Sequence, residues 1–222
     1  MKLTLNQLKK IVSESISNET TIYCDMDGVI ADFVTGVVQL MNYYLSYASS
    51  GQQIESKSLR KALNKVLNTY GKNFRIQDHN IIVTDKLIKR LKYIVIVQNP
   101  GKFFYELPGL IDGTELLWPY ITSLGLPVKI LSAPINSSKG MSATQGKTMW
   151  VSENLSPQPD DIHIVPAVEK QNFATSATGV ANVLIDDKLE TINQWNAAGG
   201  IGILHIPGES ALTIRQINNL GF

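Results

Sequence analysis

Two aspartates stand one residue apart at the end of a short apolar run near the beginning of the chain. Residues 22–28 read Ile-Tyr-Cys-Asp-Met-Asp-Gly, so Asp25 and Asp27 follow a strand-like segment and Gly28 allows the chain to turn. The carboxyl end of a strand is where open α/β sheets hold their ligands. Two nearby carboxylates can share a divalent cation, or divide into a charged nucleophile and a neutral general acid.

A second apolar run, far downstream, also ends in paired carboxylates. Residues 183–187 read Val-Leu-Ile-Asp-Asp, which places Asp186 and Asp187 at the end of another predicted strand. If both strands belong to one sheet, four carboxylates meet at one edge and repel one another unless a cation neutralises them. Mg²⁺ suits such a cluster because it takes oxygen ligands and keeps several waters. The structural alternative is two unrelated acidic turns.

These residues resemble the motifs of the haloacid dehalogenase-like (HAD) superfamily of phosphatases. The segment 25–29, Asp-Met-Asp-Gly-Val, resembles the first motif, Ser132 at the end of a predicted strand resembles the second, and Asp186-Asp187 resembles the fourth. The wider match, from Asp27 to Phe33 together with Trp195, resembles the 5′(3′)-deoxyribonucleotidase branch. Ala133 departs from that branch, where a second hydroxyl residue commonly follows the first.

The resemblance implies a role for each of these side chains. Asp25 is the expected nucleophile, and Asp27 is the expected general acid and base. Mg²⁺ is expected to bind Asp25, the backbone carbonyl of Asp27 and Asp186, while Asp187 holds the metal or its waters. Ser132 is expected to donate a hydrogen bond to a phosphoryl oxygen.

The phosphate-binding lysine has two candidates. Lys170 lies after the third predicted strand and sixteen residues before Asp186, which matches the order of the third motif of the superfamily. Lys147 follows Gly146 at the beginning of a predicted helix, and the N-terminus of a helix favours a phosphate group. The motif order favours Lys170, with Lys147 as a second phosphate contact.

The apolar pattern predicts an α/β fold with a doubly wound, mostly parallel, five-stranded Rossmann-like sheet. The last helix is expected to begin at Ser210, a residue type that caps helices. The resemblance implies the strand order fifth, fourth, first, second, third. Strands are predicted at 21–25, 127–131, 162–165, 182–186 and 201–205, and helices at 146–155, 170–177 and 188–198.

A long insertion separates the first two predicted strands. Residues 35–106 contain helical patterns at 35–48, 57–70 and 85–97, and we interpret them as a helical cap. The expected HAD-like core consists of 21–34 and 107–222, with a helix at about 113–123, and an amphipathic helix is expected within residues 1–20. The cap is rich in aromatic residues, which can stack on a base. Phe33, Phe103 and Phe104 are the predicted substrate contacts.

Composition narrows the expected partners. The formal net charge of the whole chain is +1, which predicts no general attraction to a nucleic acid polymer. No apolar run reaches the length that spans a membrane, and the N-terminus lacks the apolar stretch of a signal peptide. The single cysteine, Cys24, is expected to be a core thiol and cannot form an internal disulfide, so we expect a cytoplasmic protein. Its expected partner is a small molecule, a phosphate monoester.

The sequence therefore predicts a Mg²⁺-dependent phosphomonoesterase, most consistent with a nucleotidase that acts on deoxyribonucleoside monophosphates through an aspartyl-phosphate. Another small phosphate ester, such as a sugar phosphate, is the alternative substrate. A P-loop kinase or NTPase is more remote, because five residues rather than four separate Gly140 from Gly146. A binding protein without catalytic activity is also remote, because all four carboxylates are present.

Overall fold

The computed structural model describes residues 19–135 and 141–222. The expected helix within residues 1–20 lies almost wholly outside the described residues, as does Gly140 of the P-loop-like stretch. The chain divides into two compact units. The first contains the chain up to Ala31 together with Gly109–Pro134 and Val151–Phe222, and the second contains Asp32–Pro108 and Ile135–Trp150.

The first unit is built on a five-stranded, all-parallel sheet, which confirms the predicted fold class. The strand order is β3-β2-β1-β4-β5, as the resemblance implied. The central strand β1 is buried along its whole length because it has a neighbour on both sides. The strands are β1 (Ile22–Cys24), β2 (Val128–Ser132), β3 (Asp161–Ile164), β4 (Val183–Asp186) and β5 (Ile201–Leu204).

An aromatic cluster forms part of the core of this unit. The indole ring of Trp195 is completely buried, lies 5.6 Å from the Tyr23 ring and donates a hydrogen bond to the carbonyl of Asn182 at 3.1 Å. The cluster thus joins a helix to the sheet beneath it, since Tyr23 belongs to β1 and Trp195 to the helix that follows β4. The α-helices among the described residues are α1 (Phe33–Ser49), α2 (Lys57–Tyr70), α3 (Ile81–Thr84), α4 (Lys86–Ile96), α5 (Pro100–Tyr105), α6 (Trp118–Thr122), α7 (Ala143–Asn154), α8 (Leu189–Ala197) and α9 (Ser210–Asn218).

Three local expectations differ from the structure. The predicted helix at 170–177 is a 3₁₀ helix, Ala167–Phe173, because the chain must then turn into a short bridge between Thr175 and Ala181. The predicted helix at 113–123 is π-helical over Gly113–Leu117 and α-helical only in α6. Helix α9 begins at Ser210, as predicted, but Ser210 is its first residue and Glu209 occupies the N-cap position that the Ser210 hydroxyl was expected to fill.

A carboxylate from another segment does part of the work that was expected of Ser210. Glu209 occupies the N-cap position of α9, and its side chain makes no capping hydrogen bond. The backbone N–H of Ser210 instead donates to the carboxylate of Asp112 at 3.0 Å. An anionic acceptor satisfies one of the unpaired N–H groups that every helix begins with.

The second unit is helical. Helices α1, α2 and α4 pack against one another in pairs. The side chains of Ser56 and Asp85 cap α2 and α4 by accepting hydrogen bonds from backbone N–H groups of the first turn. The sequence assigned only 35–106 to an insertion, whereas this compact unit also contains Ile135–Trp150, and the predicted domain boundaries stay a prediction.

Close backbone contact explains one glycine of the P-loop-like stretch. A Cβ atom on Gly146 would collide with the carbonyl oxygen of Gly101, and the Gly101 N–H donates to the carbonyl of Met141 at 2.8 Å. Gly146 therefore allows α7 to approach α5 within the second unit.

Across the described residues, no helix is both long enough and apolar enough to cross a membrane.

Candidate active site

The candidate site lies where the strand order reverses. Within the sheet, β2 and β3 lie on one side of β1, and β4 and β5 lie on the other side of β1. Asp25 follows β1 directly, and Asp186 ends the adjacent strand β4. The carboxyl ends of strands at such a reversal form the crevice in which α/β sheets bind ligands. The two acidic motifs of the sequence therefore meet, as their positions predicted.

A tight turn follows β1 and presents Asp27. The N–H groups of Val29, Ile30 and Ala31 all point to the carbonyl of Met26, at 3.3, 3.1 and 2.9 Å. Gly28 has a φ angle of +79°, a conformation that side-chain-bearing residues rarely adopt, and its N–H donates to the Ala31 carbonyl at 2.9 Å. The turn reverses the chain within a few residues after the strand, so that Asp25 and Asp27 remain near one edge of the sheet.

A buried lysine joins the two acidic motifs. The Lys170 ammonium lies 2.7 Å from Asp186 Oδ2 and 3.1 Å from Asp25 Oδ1, and all three side chains are at least 98% buried. Burial alone would lower the pKa of Lys170, but the carboxylates of Asp25 and Asp186 more than compensate and raise it. Lys170, which the motif order favoured, thus places an ammonium group against both acidic motifs.

Asp187 has a carboxylate oxygen that needs a further partner. Its Oδ1 is buried and has no hydrogen-bond partner among the described residues. Burial raises the pKa of Asp187 to about 7, and the charges of Asp25 and Asp186 act in the same direction while Lys188 opposes them. A buried carboxylate oxygen without a donor is costly, and a cation removes that cost.

The donor set fits a hard divalent cation. One carboxylate oxygen each from Asp25, Asp186 and Asp187 lie within 4.8 Å of one another, so these three residues could hold a metal ion. All of the ligand atoms are oxygens, which Mg²⁺ prefers. The carboxylate of Asp27 is outside this set. That agrees with its expected contribution through the backbone carbonyl, which stays a prediction.

The Gly28→Ala substitution is expected to damage both the turn and the acidic cluster. A Cβ atom at this position would lie 2.5 Å from Asp187 Oδ2, and the left-handed backbone would add strain of about 1–3 kcal/mol. We expect a lower melting temperature together with weaker binding of a divalent cation, measured by thermal denaturation with and without Mg²⁺. Gly179→Ala is the matched control, because Gly179 has a similar φ of +85° and open space around its Cβ position. Equal cation dependence in the two variants would contradict this account of Gly28.

Two further residues of the sequence analysis lie in the same unit. Ser132 is the last residue of β2, next to β1, and is fully buried, so it stands at the same edge of the sheet as Asp25. Cys24 is fully buried, and its burial, with the charge of Asp25, raises the pKa of the thiol. A buried neutral thiol is a poor nucleophile, in agreement with the expected structural role of Cys24.

The remaining predicted residues assemble in the second unit. The rings of Phe33 and Phe103 lie 5.6 Å apart, those of Phe103 and Phe104 lie 5.0 Å apart, and the Lys147 ammonium lies 4.3 Å from the centre of the Phe104 ring. Lys147 and Phe104 are fully buried and Phe103 is 7% exposed, whereas Phe33 is only partly buried. Phe33 is therefore the ring of this cluster with the most accessible surface.

Lys188 is a further charged residue at this site that no sequence motif predicted. Its backbone N–H donates to Asp186 Oδ1 at 2.9 Å, and this orients the carboxylate. Desolvation opposes the charge of Lys188, but the carboxylates of Asp25 and Asp187 raise its pKa overall. The signal was present, because Lys188 directly follows the Asp186-Asp187 pair, but a lysine beside an acidic pair usually indicates only a solvated turn.

Comparison with solved structures identifies the fold. The HAD-hydrolase YfnB from Bacillus subtilis, bound to magnesium, matches with a TM-score of 0.50 and 14% identity over 86% of this chain and 91% of that chain. The chain has the fold of the HAD hydrolases. A hydrolase from Streptococcus pneumoniae TIGR4 aligns with a TM-score of 0.48 and 13% identity, covering 91% and 99% of the two chains.

CbbY from Rhodobacter sphaeroides, in complex with phosphate, also aligns with this chain, with a TM-score of 0.40 and 13% identity over 86% of this chain and 87% of that chain. No family model matches the sequence, and no curated protein matches it significantly. The likeness to HAD hydrolases is thus one of fold, and the chemistry must be argued from the site.

Proposed function

We propose that the chain is a Mg²⁺-dependent phosphomonoesterase that forms an aspartyl-phosphate on Asp25 and acts on deoxyribonucleoside monophosphates. The observation that carries this proposal is the buried Lys170 ammonium between Asp25 and Asp186, beside the cluster completed by Asp187. The nucleophilic carboxylate and the phosphate are both anions, so positive charge must surround them before they can react.

The protein's own groups divide the reaction between them. Asp25 attacks the phosphorus while the Met26 N–H, 2.8 Å from Asp25 Oδ1, and Lys170 hold its carboxylate in place. Asp27, on the turn after β1, protonates the departing ester oxygen and then takes a proton from the water that hydrolyses the acyl phosphate. Ser132 donates a hydrogen bond to a phosphoryl oxygen. Asp25, Asp186 and Asp187 would hold a Mg²⁺ ion, which would supply positive charge to the phosphoryl oxygens.

Asp27 favours a phosphate ester over a carbon–halogen bond as the substrate. A halide leaves as a stable anion and needs no proton, whereas the alkoxide of a phosphate ester is a poor leaving group until it is protonated. A second carboxylate two residues after the nucleophile supplies that proton. Lys147 in the second unit is a second phosphate contact in this proposal.

The nucleotide part of the proposal rests on the aromatic residues of the second unit. Phe33 follows the Asp25–Asp27 motif by a few residues and keeps accessible surface, so it is the ring that we assign to the base. Phe103 and Phe104 support it, because the three rings contact one another. A sugar phosphate remains the alternative substrate, since the proposed chemistry involves only the phosphoryl group and the ester oxygen.

A substrate panel tests the function and its substrate class separately. Purified protein is assayed for phosphate release from deoxyribonucleoside monophosphates, ribonucleoside monophosphates and sugar phosphates, with and without Mg²⁺. In the presence of Mg²⁺, we expect phosphate to be released from every ester that has a good leaving group. The highest kcat/KM is expected for deoxyribonucleoside monophosphates. Equal rates for sugar phosphates would overturn the nucleotidase assignment, and no phosphate release from any ester would overturn the phosphatase itself.

The Phe33→Ala variant tests the assigned stacking contact. Loss of one stacking contact is expected to lower kcat/KM for nucleotides by a factor that corresponds to about 1–3 kcal/mol of transition-state stabilisation. Hydrolysis of a small aryl phosphate should change little. Phe74→Ala is the control, because Phe74 stacks on Tyr70 at 4.5 Å and takes no part in the ring cluster of Phe33. If both substrates lose the same factor with Phe33→Ala, the ring supports the fold and does not bind a base.

A further inference from the structure

The two units carry opposite charges, although the whole chain is almost neutral. The segments Asp32–Pro108 and Ile135–Trp150 contain thirteen Lys and Arg residues and five Asp and Glu residues, a net charge of +8. The rest of the chain has seven and fourteen, a net charge of −7. The whole-chain value of +1, which predicted no attraction to nucleic acid, is therefore an average over two regions of opposite sign.

Helix α2 concentrates the positive charge in one stripe. It has four cations and no acidic residue, and its cations recur three or four positions apart, on the side opposite the buried Leu59, Leu63 and Val66. Lys57, Lys61 and Lys65 therefore follow one another over about 12 Å of helix axis. The exposed side chains of this stripe, which together line a shallow surface groove, are Lys57, Arg60, Lys61, Asn64, Lys65, Asn68 and Thr69.

The charges of this stripe lack carboxylate partners within the described chain. No ion pair is formed by Lys57, Arg60, Lys61 or Lys65 with any described Asp or Glu residue. Like charges four residues apart on a helix repel one another and cost stability. Such an arrangement is relieved by an anionic partner whose charges are also regularly spaced.

A second basic stripe stands on the neighbouring helix and ends in an exposed aromatic ring. Helices α2 and α4 pack against each other, and the Tyr70 hydroxyl of α2 donates to Asp85, the N-cap of α4. On α4, Lys86, Lys89, Arg90 and Tyr93 are all exposed and follow the three- and four-residue spacing of one helix face, with Tyr93 57% exposed. Cations beside exposed aromatic rings are typical of surfaces that bind single strands, where the cations contact phosphates and the rings stack on bases.

We propose that the α2 stripe binds single-stranded nucleic acid and that the basic residues of the neighbouring helix α4 extend the site. The cations follow the phosphate backbone, the amides of Asn64 and Asn68 donate to phosphate oxygens, and the exposed tyrosines stack on bases. This site is independent of the carboxylates of the first unit and goes beyond the hydrolysis of a small phosphate ester.

Fluorescence anisotropy with a labelled single-stranded oligodeoxynucleotide of about 20 residues tests the proposal. A strand of this length is more than sufficient, because a stripe of about 16–20 Å is covered by only a few nucleotides. The oligonucleotide carries no terminal phosphate and the buffer contains EDTA, so the result does not depend on hydrolysis. We expect saturable binding whose affinity falls steeply with salt. Failure of the full chain to bind at low salt would overturn the proposal and leave the proposed phosphatase untouched.

Two triple variants separate the stripe from general charge. Lys57→Gln with Lys61→Gln and Lys65→Gln is expected to weaken binding about tenfold and to reduce the slope of log Kd against log salt by about 2, since each phosphate that a lysine neutralises adds about 0.7 to that slope. Lys72→Gln with Lys102→Gln and Arg215→Gln removes the same charge from other exposed positions and should change Kd by less than about twofold. Equal weakening by the two variants would refute a specific site.

Two competing partners are outcomes of the same experiment. Tighter binding to a duplex of the same length would refute the assignment to single strands, because paired bases cannot stack on the tyrosines. Binding to vesicles of phosphatidylserine and phosphatidylcholine at concentrations where the oligonucleotide does not bind would refute nucleic acid as the partner. Retention of oligonucleotide binding when Lys57, Lys61 and Lys65 are all changed to Arg would support phosphate contacts.

Discussion

Asp25→Asn is expected to abolish turnover while the protein remains folded. The amide has nearly the same size and shape as the carboxylate but is not a nucleophile, so the rate should fall by at least about 10⁴-fold. Steady-state phosphate release measures the loss, and near-ultraviolet circular dichroism verifies that the fold is retained. Beryllofluoride, a mimic of the phosphoryl group, should be retained by the wild-type chain and not by this variant.

The control for Asp25→Asn is the same substitution at the opposite edge of the sheet. Asp161 is the first residue of β3, so it lies at the amino end of its strand and its side chain is exposed. Asp161→Asn should leave the rate within about twofold of wild type, as exposed substitutions away from the chemistry usually do. A variant Asp25→Asn with near wild-type turnover would exclude Asp25 as the nucleophile.

Removal of divalent cations is expected to have the second largest effect. Asp25, Asp186 and Asp187 bring three carboxylate oxygens within 4.8 Å of one another, and Lys170 balances only part of their charge. Without a cation, an anionic phosphate would approach this cluster against electrostatic repulsion. Chelation with EDTA should therefore reduce activity by about a thousandfold, equivalent to several kcal/mol of lost charge stabilisation.

Mg²⁺ added back to the chelated protein should restore activity. Asp187→Asn should shift the Mg²⁺ concentration for half-maximal activity upward by about tenfold or more, because the ligands of a metal and the groups that orient them both contribute to its affinity. Asp161→Asn again serves as the control, since it removes a carboxylate of the same unit from outside the cluster. Full activity in metal-free buffer would show that the acidic cluster has another purpose.

The parts of the fold that follow from hydrophobic burial could be predicted from the sequence. The five apolar runs are the five strands to within a residue or so. The three inner strands, β1, β2 and β4, are almost wholly buried, which leaves little freedom in residue type. The meeting of Asp25 with Asp186 also follows, since the carboxyl ends of parallel neighbours share one edge. The strand order itself depended on the family resemblance.

Features that depend on a few long-range contacts could not be predicted. Motif order favoured Lys170 over Lys147, but its simultaneous contact with Asp25 and Asp186 depends on three segments that meet only in the fold. The role of Asp112 at the beginning of α9 involves two residues almost a hundred positions apart. The close approach of Gly146 to Gly101 likewise has no local signal, since it depends on the packing of two helices.

The charge of the second unit illustrates a different limit. Every cation of α2 and α4 was visible in the sequence, but net charge was summed over the entire chain and so came to +1. Only the division into compact units shows that the positive residues belong together. Charge should therefore be summed by structural unit before an electrostatic partner is excluded.

The position of Lys170 bears on whether the fold depends on the proposed Mg²⁺. Small metal-binding domains whose ligands are held together only by the ion unfold when the ion is withdrawn. Here a covalently attached ammonium lies 2.7 and 3.1 Å from the two central carboxylates and opposes the cost of their burial. We therefore expect the protein to stay folded when the ion is withdrawn, so that the proposed Mg²⁺ binds and leaves without unfolding.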